Sequence, residues 1–340
     1  MRELLARLLL TDGQFEVVGV ACDGEEAAEL TRRLRPDVIT MDIHMPRLDG
    51  VAATQRIMAE TPTPIVVVAA SVRTREVDLA FEALQAGAVT VVNKPPGPND
   101  PNHGKAVADL LNTVRLMSAV KVVRQRRITT AGAGTVHAPL PPNAQAVEAA
   151  SPLAIAIAAS TGGPQAIQMV LQALGNDLRV PVLVVQHIGQ GFAAGMAAWL
   201  ATTCPQVVKL AEQGEMPAGG TVYLAPEDCH LLVTHRGSLA LSKAPPRGSF
   251  RPSADVLFES ASDFYGARVV GVILTGMGDD GAAGLQQLRS AGAPTIAQDE
   301  ATSVVYGMPR AAADAGAAGQ VLPLSAIGPR LRRLLGMSGA

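Results

Sequence analysis

Three polar residues, Ser160, His187 and Asp280, each close an apolar run of the kind that forms a buried strand. Leu153–Ala159 (LAIAIAA) stops at Ser160-Thr161-Gly162-Gly163, Val180–Gln186 (VPVLVVQ) stops at His187, and Arg268–Thr275 (RVVGVILT) runs into Gly276-Met277-Gly278-Asp279-Asp280-Gly281. A hydroxyl, an imidazole and a carboxylate are the parts of a nucleophile, its general base and the acid that orients the base. A serine hydroxyl is a weak nucleophile at neutral pH, and an imidazole titrating near ~6.5 suits the transfer of its proton. Each residue also has a structural reading when taken alone. Ser160 or Thr161 can cap a helix, His187 can be a packed core histidine, and Asp280 can close a turn. Their order along the chain differs from that of chymotrypsin, subtilisin and the α/β-hydrolases, and no G-x-S-x-G elbow is present. Together, three strand tips carrying complementary groups point to chemistry.

The elements that must position them are strands alternating with helices. Pro164 suits the first turn of a helix over AIQMVLQAL, so Ser160 is expected at a strand end facing a helix N-terminus, where free N–H groups and the helix dipole favour developing negative charge. GFAAGMAAWLATTC, RPSADVLFESASDFYG and AAGLQQLRSAG read as further helices, PTIAQDE as a strand, and a final helix is expected after Gly307-Met308-Pro309-Arg310. TVYLAPE and HLLVT are expected within an antiparallel meander over about 207–243. The first third repeats the βα rhythm. Helices are expected over 3–10, EEAAELTRRLR, VAATQRIMAE, EVDLAFEALQAG and KAVADLLNTVRLMSAV, and strands over Glu16–Cys22, Asp37–Met41, Ile65–Ala69 and AVTVV. This alternation implies an α/β fold with two doubly wound, mainly parallel sheets. Between the two units, residues 119–150 pass from a basic run with Arg124–Arg127 to an Ala-, Gly- and Pro-rich stretch, which reads as a flexible linker.

Bulk composition narrows the function. The 340 residues are 48% hydrophobic and 17% charged, ample for two packed cores. A net charge of −2 gives no reason to expect nucleic acid or an anionic membrane as a partner. No apolar run is long enough to span a membrane, and MRELLARLLL carries charge throughout with no cleavage site, so a cytoplasmic location is expected. Cys22, Cys204 and Cys229 are odd in number and far apart, and Cys229-His230 with His235 has no zinc-site spacing, so no metal is expected. STGGP is neither a P-loop nor G-x-G-x-x-G, which disfavours nucleotide binding. A docking or interaction module remains the alternative to an enzyme.

Two stretches carry a family resemblance. Asp42 in MDIHMPRLDG, Lys94 in VVNKP and the rhythm of residues 1–118 resemble the flavodoxin-like receiver domain of two-component response regulators. The resemblance implies that Asp42 is the phospho-acceptor, that Lys94 contacts the phosphoryl group, and that a chemotaxis histidine kinase is the phosphodonor. In that family a first strand ends in paired acidic residues that hold Mg²⁺. This chain begins in the helix that follows, neither Asp12 nor Asp23 takes the pair's place, and one carboxylate is expected to hold Mg²⁺ poorly. The receiver's usual hydroxyl residue appears as Ala69, with Ser71 two positions on, and His44 stands where relatives usually carry an acid.

AIAASTGGP, VVQHI, YLAPEDCHLLV, FRPSADVLFES, ILTGMGDDGAAG and AQDEATSVVYGMPRAA resemble the catalytic domain of chemotaxis protein-glutamate methylesterase, CheB. That resemblance spans about 151–335 within an expected domain of 151–338, with a Rossmann-like three-layer architecture. It implies Ser160 as nucleophile, His187 as general acid/base and Asp280 as its orienter, with an oxyanion hole at Thr161 and Met277. It further implies hydrolysis of glutamate γ-methyl esters on methyl-accepting chemoreceptors, with glutamine deamidation as an associated activity, no cofactor for the esterase, and a monomer whose receiver covers the site until phosphorylated.

Overall fold

The computed structural model describes residues 2–70, 74–120 and 151–337. The expected linker beyond Val120, its Arg124–Arg127 run, and Ser71 lie outside the described residues.

The first unit runs α1 (Arg2–Thr11), α2 (Gly24–Leu34), β1 (Ile39–Asp42), α3 (Gly50–Glu60), β2 (Ile65–Ala69), α4 (Thr74–Gln85), β3 (Thr90–Asn93) and α5 (His103–Ser118). Its three strands are parallel in the order β1-β2-β3. Side chains alternate across β2. Ile65, Val67 and Ala69 share a core with α2, α3 and α4, whereas Val68 packs with Leu5 of α1 and Leu110 and Val114 of α5.

One expected strand is absent. Glu16–Cys22 runs without a ladder partner, and Val18 and Val20 are each 47% exposed. A strand exists only when its N–H and C=O groups are paired. Here a cavity of about 720 Å³, lined by Val17, Gly19, Ala21, Ile39 and Met41 among others, separates this segment from β1. The alternation of apolar residues was genuine, but no described strand lies within reach of it.

The second unit runs β4 (Ala154–Ala159), α6 (Gly163–Leu174), β5 (Val182–Gln186), α7 (Ala193–Thr203), β6 (Val207–Leu210), β7 (Thr221–Leu224), β8 (His230–Val233), β9 (Leu239–Ser242), α8 (Ala254–Tyr265), β10 (Val269–Ile273), α9 (Ala282–Ser290), β11 (Thr295–Gln298), α10 (Met308–Asp314), β12 (Gln320–Leu322) and α11 (Leu324–Leu334). Seven parallel strands lie in the order β12-β11-β10-β4-β5-β7-β6. In AIAIAA of β4, Ile155, Ile157 and Ala159 face α6, α7 and α11, and Ala154, Ala156 and Ala158 face α8, α9 and α10. Both faces are covered, giving the three layers expected. The antiparallel meander is smaller than its sequence suggests. β6 and β7 pair in parallel within the main sheet, and only β8 and β9 form an antiparallel hairpin. Residues 211–220 join β6 to β7, and sequence alternation alone does not distinguish a parallel from an antiparallel pairing of the strands they connect. The chain also ends in two helices, α10 and α11 with β12 between them, rather than one.

The two units pack through α4 and α7. Phe81 and Trp199 stack with ring centroids 5.5 Å apart, and a Cβ at Gly195 would overlap Val77, so the glycine permits the close crossing. Gln165 Nε2 donates to the Ala88 carbonyl at 2.8 Å and Asn93 Nδ2 to the Gln190 carbonyl at 3.1 Å. No described helix is long and apolar enough to cross a membrane.

Candidate active site

β4 has β5 on one side and β10 on the other, and the connections leave it in opposite directions. Such a reversal opens a crevice at the carboxyl ends of the strands. Ser160 follows β4, His187 follows β5, and Asp280 lies in the loop after β10, so the three residues share one sheet end. Ser160 N–H donates to the Thr275 carbonyl (3.0 Å) and His187 N–H to the Ala159 carbonyl (2.9 Å), which carries the ladder past the strand ends and fixes their relative height.

The turn after Ser160 is braced from below. Buried Gln186 donates from Nε2 to the Ser160 carbonyl at 2.6 Å and to the His187 carbonyl at 2.8 Å. Its side chain fills the space a Cβ on Gly163 would need, which accounts for that glycine. Gly162 sits at φ 75, a left-handed conformation that glycine adopts without strain. Fully buried Thr275 donates from Oγ1 to the Thr161 carbonyl at 2.9 Å, and its own N–H donates to Gln298 Oε1 at 2.8 Å. The N-cap of α6 is Gly162 and no side chain caps that helix, so neither Ser160 nor Thr161 is used as a cap. Among the described residues, the N–H groups of Thr161 and Met277 take no part in the backbone hydrogen-bond network.

Asp280 is 4% exposed and accepts four hydrogen bonds. Oδ2 accepts from His187 Nε2 at 2.8 Å and from Ala254 N–H at 2.6 Å, while Oδ1 accepts from Ser253 Oγ at 2.7 Å and Asp255 N–H at 3.3 Å. Ala254 and Asp255 open α8, so the carboxylate sits at the positive end of that helix. Burial pushes the Asp280 carboxyl up, but the His187 bond and charge and the donors at the start of α8 outweigh it and hold the group below its ordinary 3.8. An ionised carboxylate only accepts, so Nε2 of His187 carries the proton and Nδ1 carries the lone pair. Nδ1 is buried without a partner, so it makes no hydrogen bond to Ser160 in this state. Catalytic hydrogen bonds often tighten only when substrate is bound.

Residues 155–331 match the family model described as CheB methylesterase, and residues 1–101 match the response regulator receiver domain. The chain belongs to the CheB methylesterase family. Among its relatives, protein-glutamate methylesterase/protein-glutamine glutaminase 4 of Geobacter metallireducens is 44% identical over 95% of this chain and 92% of its own. The Myxococcus xanthus protein of the same name is 46% identical over 99% and 95%. The crystal structure of the Thermotoga maritima CheB methylesterase catalytic domain superposes with a TM-score of 0.53 at 37% identity, covering 54% of this chain and 100% of that one.

The receiver residues form a second, separate cluster. Asp42 at the end of β1 pairs with Lys94 just after β3, Nζ to Oδ1 at 2.9 Å, and Oδ1 also accepts from His44 N–H at 3.3 Å. Asp12 is bound by Arg115 at 2.9 Å, and Asp23 caps α2 through the N–H groups of Glu25 and Glu26 and pairs with Arg47. Neither joins Asp42. Cys22, Asp23 and Glu26 approach one another closely enough to hold an ion, but Glu26 accepts from Cys22, and Asp23 is occupied by the cap and Arg47. Asp42 is already paired with an ammonium, and Glu76 is engaged by the Ala70 N–H and by His44, so these side chains do not fit the open oxygen set that Mg²⁺ requires.

Sequence reasoning missed Gln186, Gln298, Thr275 and Ser253. Only Ser253 carried a local signal, since Ser-Ala-Asp before an apolar run marks an N-cap. Asp280→Asn replaces one acceptor oxygen with an amide facing N–H donors, and is expected to cost about 1–3 kcal/mol at pH 7. Because the carboxyl of Asp280 is held below 3.8, its stabilising contribution is present above that pH and is lost as pH falls through the lowered value. Acid unfolding curves followed by circular dichroism should therefore converge for wild type and Asp280→Asn once the pH has fallen through that lowered value, and a gap that persists unchanged at the acid end would contradict the assignment.

Proposed function

We propose that this chain hydrolyses γ-methyl esters of glutamate side chains on methyl-accepting chemoreceptors, and deamidates glutamine at equivalent positions, with Ser160 as nucleophile. The reading is supported most directly by the 2.8 Å bond between His187 Nε2 and a buried, ionised Asp280, at the sheet end that also carries Ser160. The names of the curated relatives carry both activities.

Ser160 Oγ attacks the ester carbonyl carbon as Nδ1 of His187 takes the hydroxyl proton. The carbonyl π electrons pass to oxygen, and the N–H groups of Thr161 and Met277 stabilise that oxyanion, a contribution typically worth ~10²–10³ in rate per donor. Asp280 stabilises the imidazolium across Nε2. The tetrahedral intermediate then collapses, the C–O bond to the methoxy group breaks, and His187 returns its proton to give methanol. Water, deprotonated by His187, attacks the acyl-enzyme and releases glutamate and free Ser160. With glutamine the leaving group is ammonia. The chemistry requires no metal or other cofactor.

The receiver restrains the catalytic unit through the α4–α7 contact and the Asn93–Gln190 bond, which lies beside Lys94 and three residues past His187. The enzyme works as a cytoplasmic monomer that meets its receptor substrates and a chemotaxis histidine kinase. A phosphoryl group on Asp42 would draw Lys94 towards it and load this contact.

Ser160→Ala is expected to abolish methanol release from methylated receptor while leaving the thermal midpoint within a few degrees; retention of most turnover would refute the nucleophile. With Asp42 already paired with Lys94, acetyl phosphate and Mg²⁺ are expected to label Asp42 substoichiometrically by intact mass, and stoichiometric labelling would contradict the weak-Mg²⁺ reading.

A further inference from the structure

The loop between β9 and α8 lays one aromatic ring flat on the general base. Phe250 stacks on the His187 imidazole with centroids 4.2 Å apart and planes 11° apart. We propose that Phe250 is a positioning residue that holds His187 in its working orientation and favours the imidazolium formed during turnover. The inference rests on His187 being the acid/base proposed above.

The loop is built to hold the ring still. Arg247 and Phe250 exchange backbone hydrogen bonds, N–H to carbonyl, at 3.1 Å in both directions. Arg247 is tied to Glu259 of α8. Arg251 is tied to Asp228 and donates to the carbonyls of Lys243 and Ala244. Phe250 is thus clamped on both sides by paired arginines. His187 is fixed at one edge by Asp280 and on one face by Phe250, and its side chain is 10% exposed. Nδ1 remains the one ring nitrogen without a partner.

An aromatic face carries negative potential, which attracts a cation far more than a neutral ring. Stacking therefore stabilises the protonated imidazole selectively, and the transition state for acylation contains that species. Asp280 acts in the same direction from the Nε2 edge. The other charges nearby are Arg247 and Asp255, both of which act on Asp280, and the exposed Asp279.

A leucine would cover the same face without the π electrons. Phe250→Leu is expected to lower kcat about tenfold with KM unchanged within twofold, and to move the acid limb of the kcat/KM profile about 0.5–1 pH unit lower. Phe250→Tyr keeps the face and should keep both parameters. If Phe250→Leu does not fold, as judged by its melting transition, Phe250→Met carries the same comparison. A folded aliphatic variant with unchanged kcat and acid limb, or a Phe250→Tyr variant as impaired as the aliphatic one, would overturn the proposal. Ser160→Ala separates the two levels: full turnover there refutes the triad itself, whereas loss there with an unmoved acid limb in Phe250→Leu refutes only the role of the ring.

Discussion

A carboxylate buried to 4% exposure stays ionised at Asp280 because four donors converge on it. Two of them are the first N–H groups of α8, which have no partners within their own helix. A third is the hydroxyl of Ser253, the residue that caps the same helix. The fourth is His187. The helix therefore needs an acceptor and the imidazole needs a fixed acceptor, and one side chain meets both needs. Everything at the sheet end follows from this. An ionised Asp280 leaves the proton on Nε2, the tautomer leaves the lone pair on Nδ1, and the β4–β5 ladder sets the Ser160 and His187 tips side by side. The imidazole is held by its Nε2 nitrogen, the reverse of the chymotrypsin arrangement, in which Nδ1 faces the acid.

Much of this was legible in the residues. The apolar runs ending at Ser160, His187 and Asp280 marked three buried strands, and the glycines after them marked sharp turns that only those residues allow. Motif resemblance supplied the roles. The braces were not legible. Gln186 and Gln298 read as ordinary polar residues at strand ends, and only the fold turns their amides under the Ser160 and Thr275 turns. Phe250 lies in a loop with no periodicity, so nothing local indicated that its ring would meet an imidazole 63 positions upstream. Long-range geometry of that kind depends on strand order, which hydrophobic patterning does not encode.

The misread segments have a common cause. Glu16–Cys22 and the β6–β7 region carry real strand patterns, but pattern alone does not specify a partner. Glu16–Cys22 borders a cavity rather than a strand, and β7 joins β5 in parallel rather than forming a hairpin. The receiver unit keeps an Asp42–Lys94 pair and a packed α4–α7 contact, while Asp12 is engaged by Arg115 and Asp23 by the start of α2. The catalytic unit brings Ser160, His187 and Asp280 to one sheet end, whereas in the receiver Asp42 is paired with Lys94.

In the proposed mechanism Ser160 is activated by His187 under the control of Asp280. Reaction of the full chain with a fluorophosphonate ester, followed by peptide mapping by mass spectrometry, tests it most directly. A single adduct is expected, on the peptide containing Ser160, formed at least ~10²-fold more slowly in His187→Gln. An adduct on another serine, or an unchanged rate without the imidazole, would contradict it.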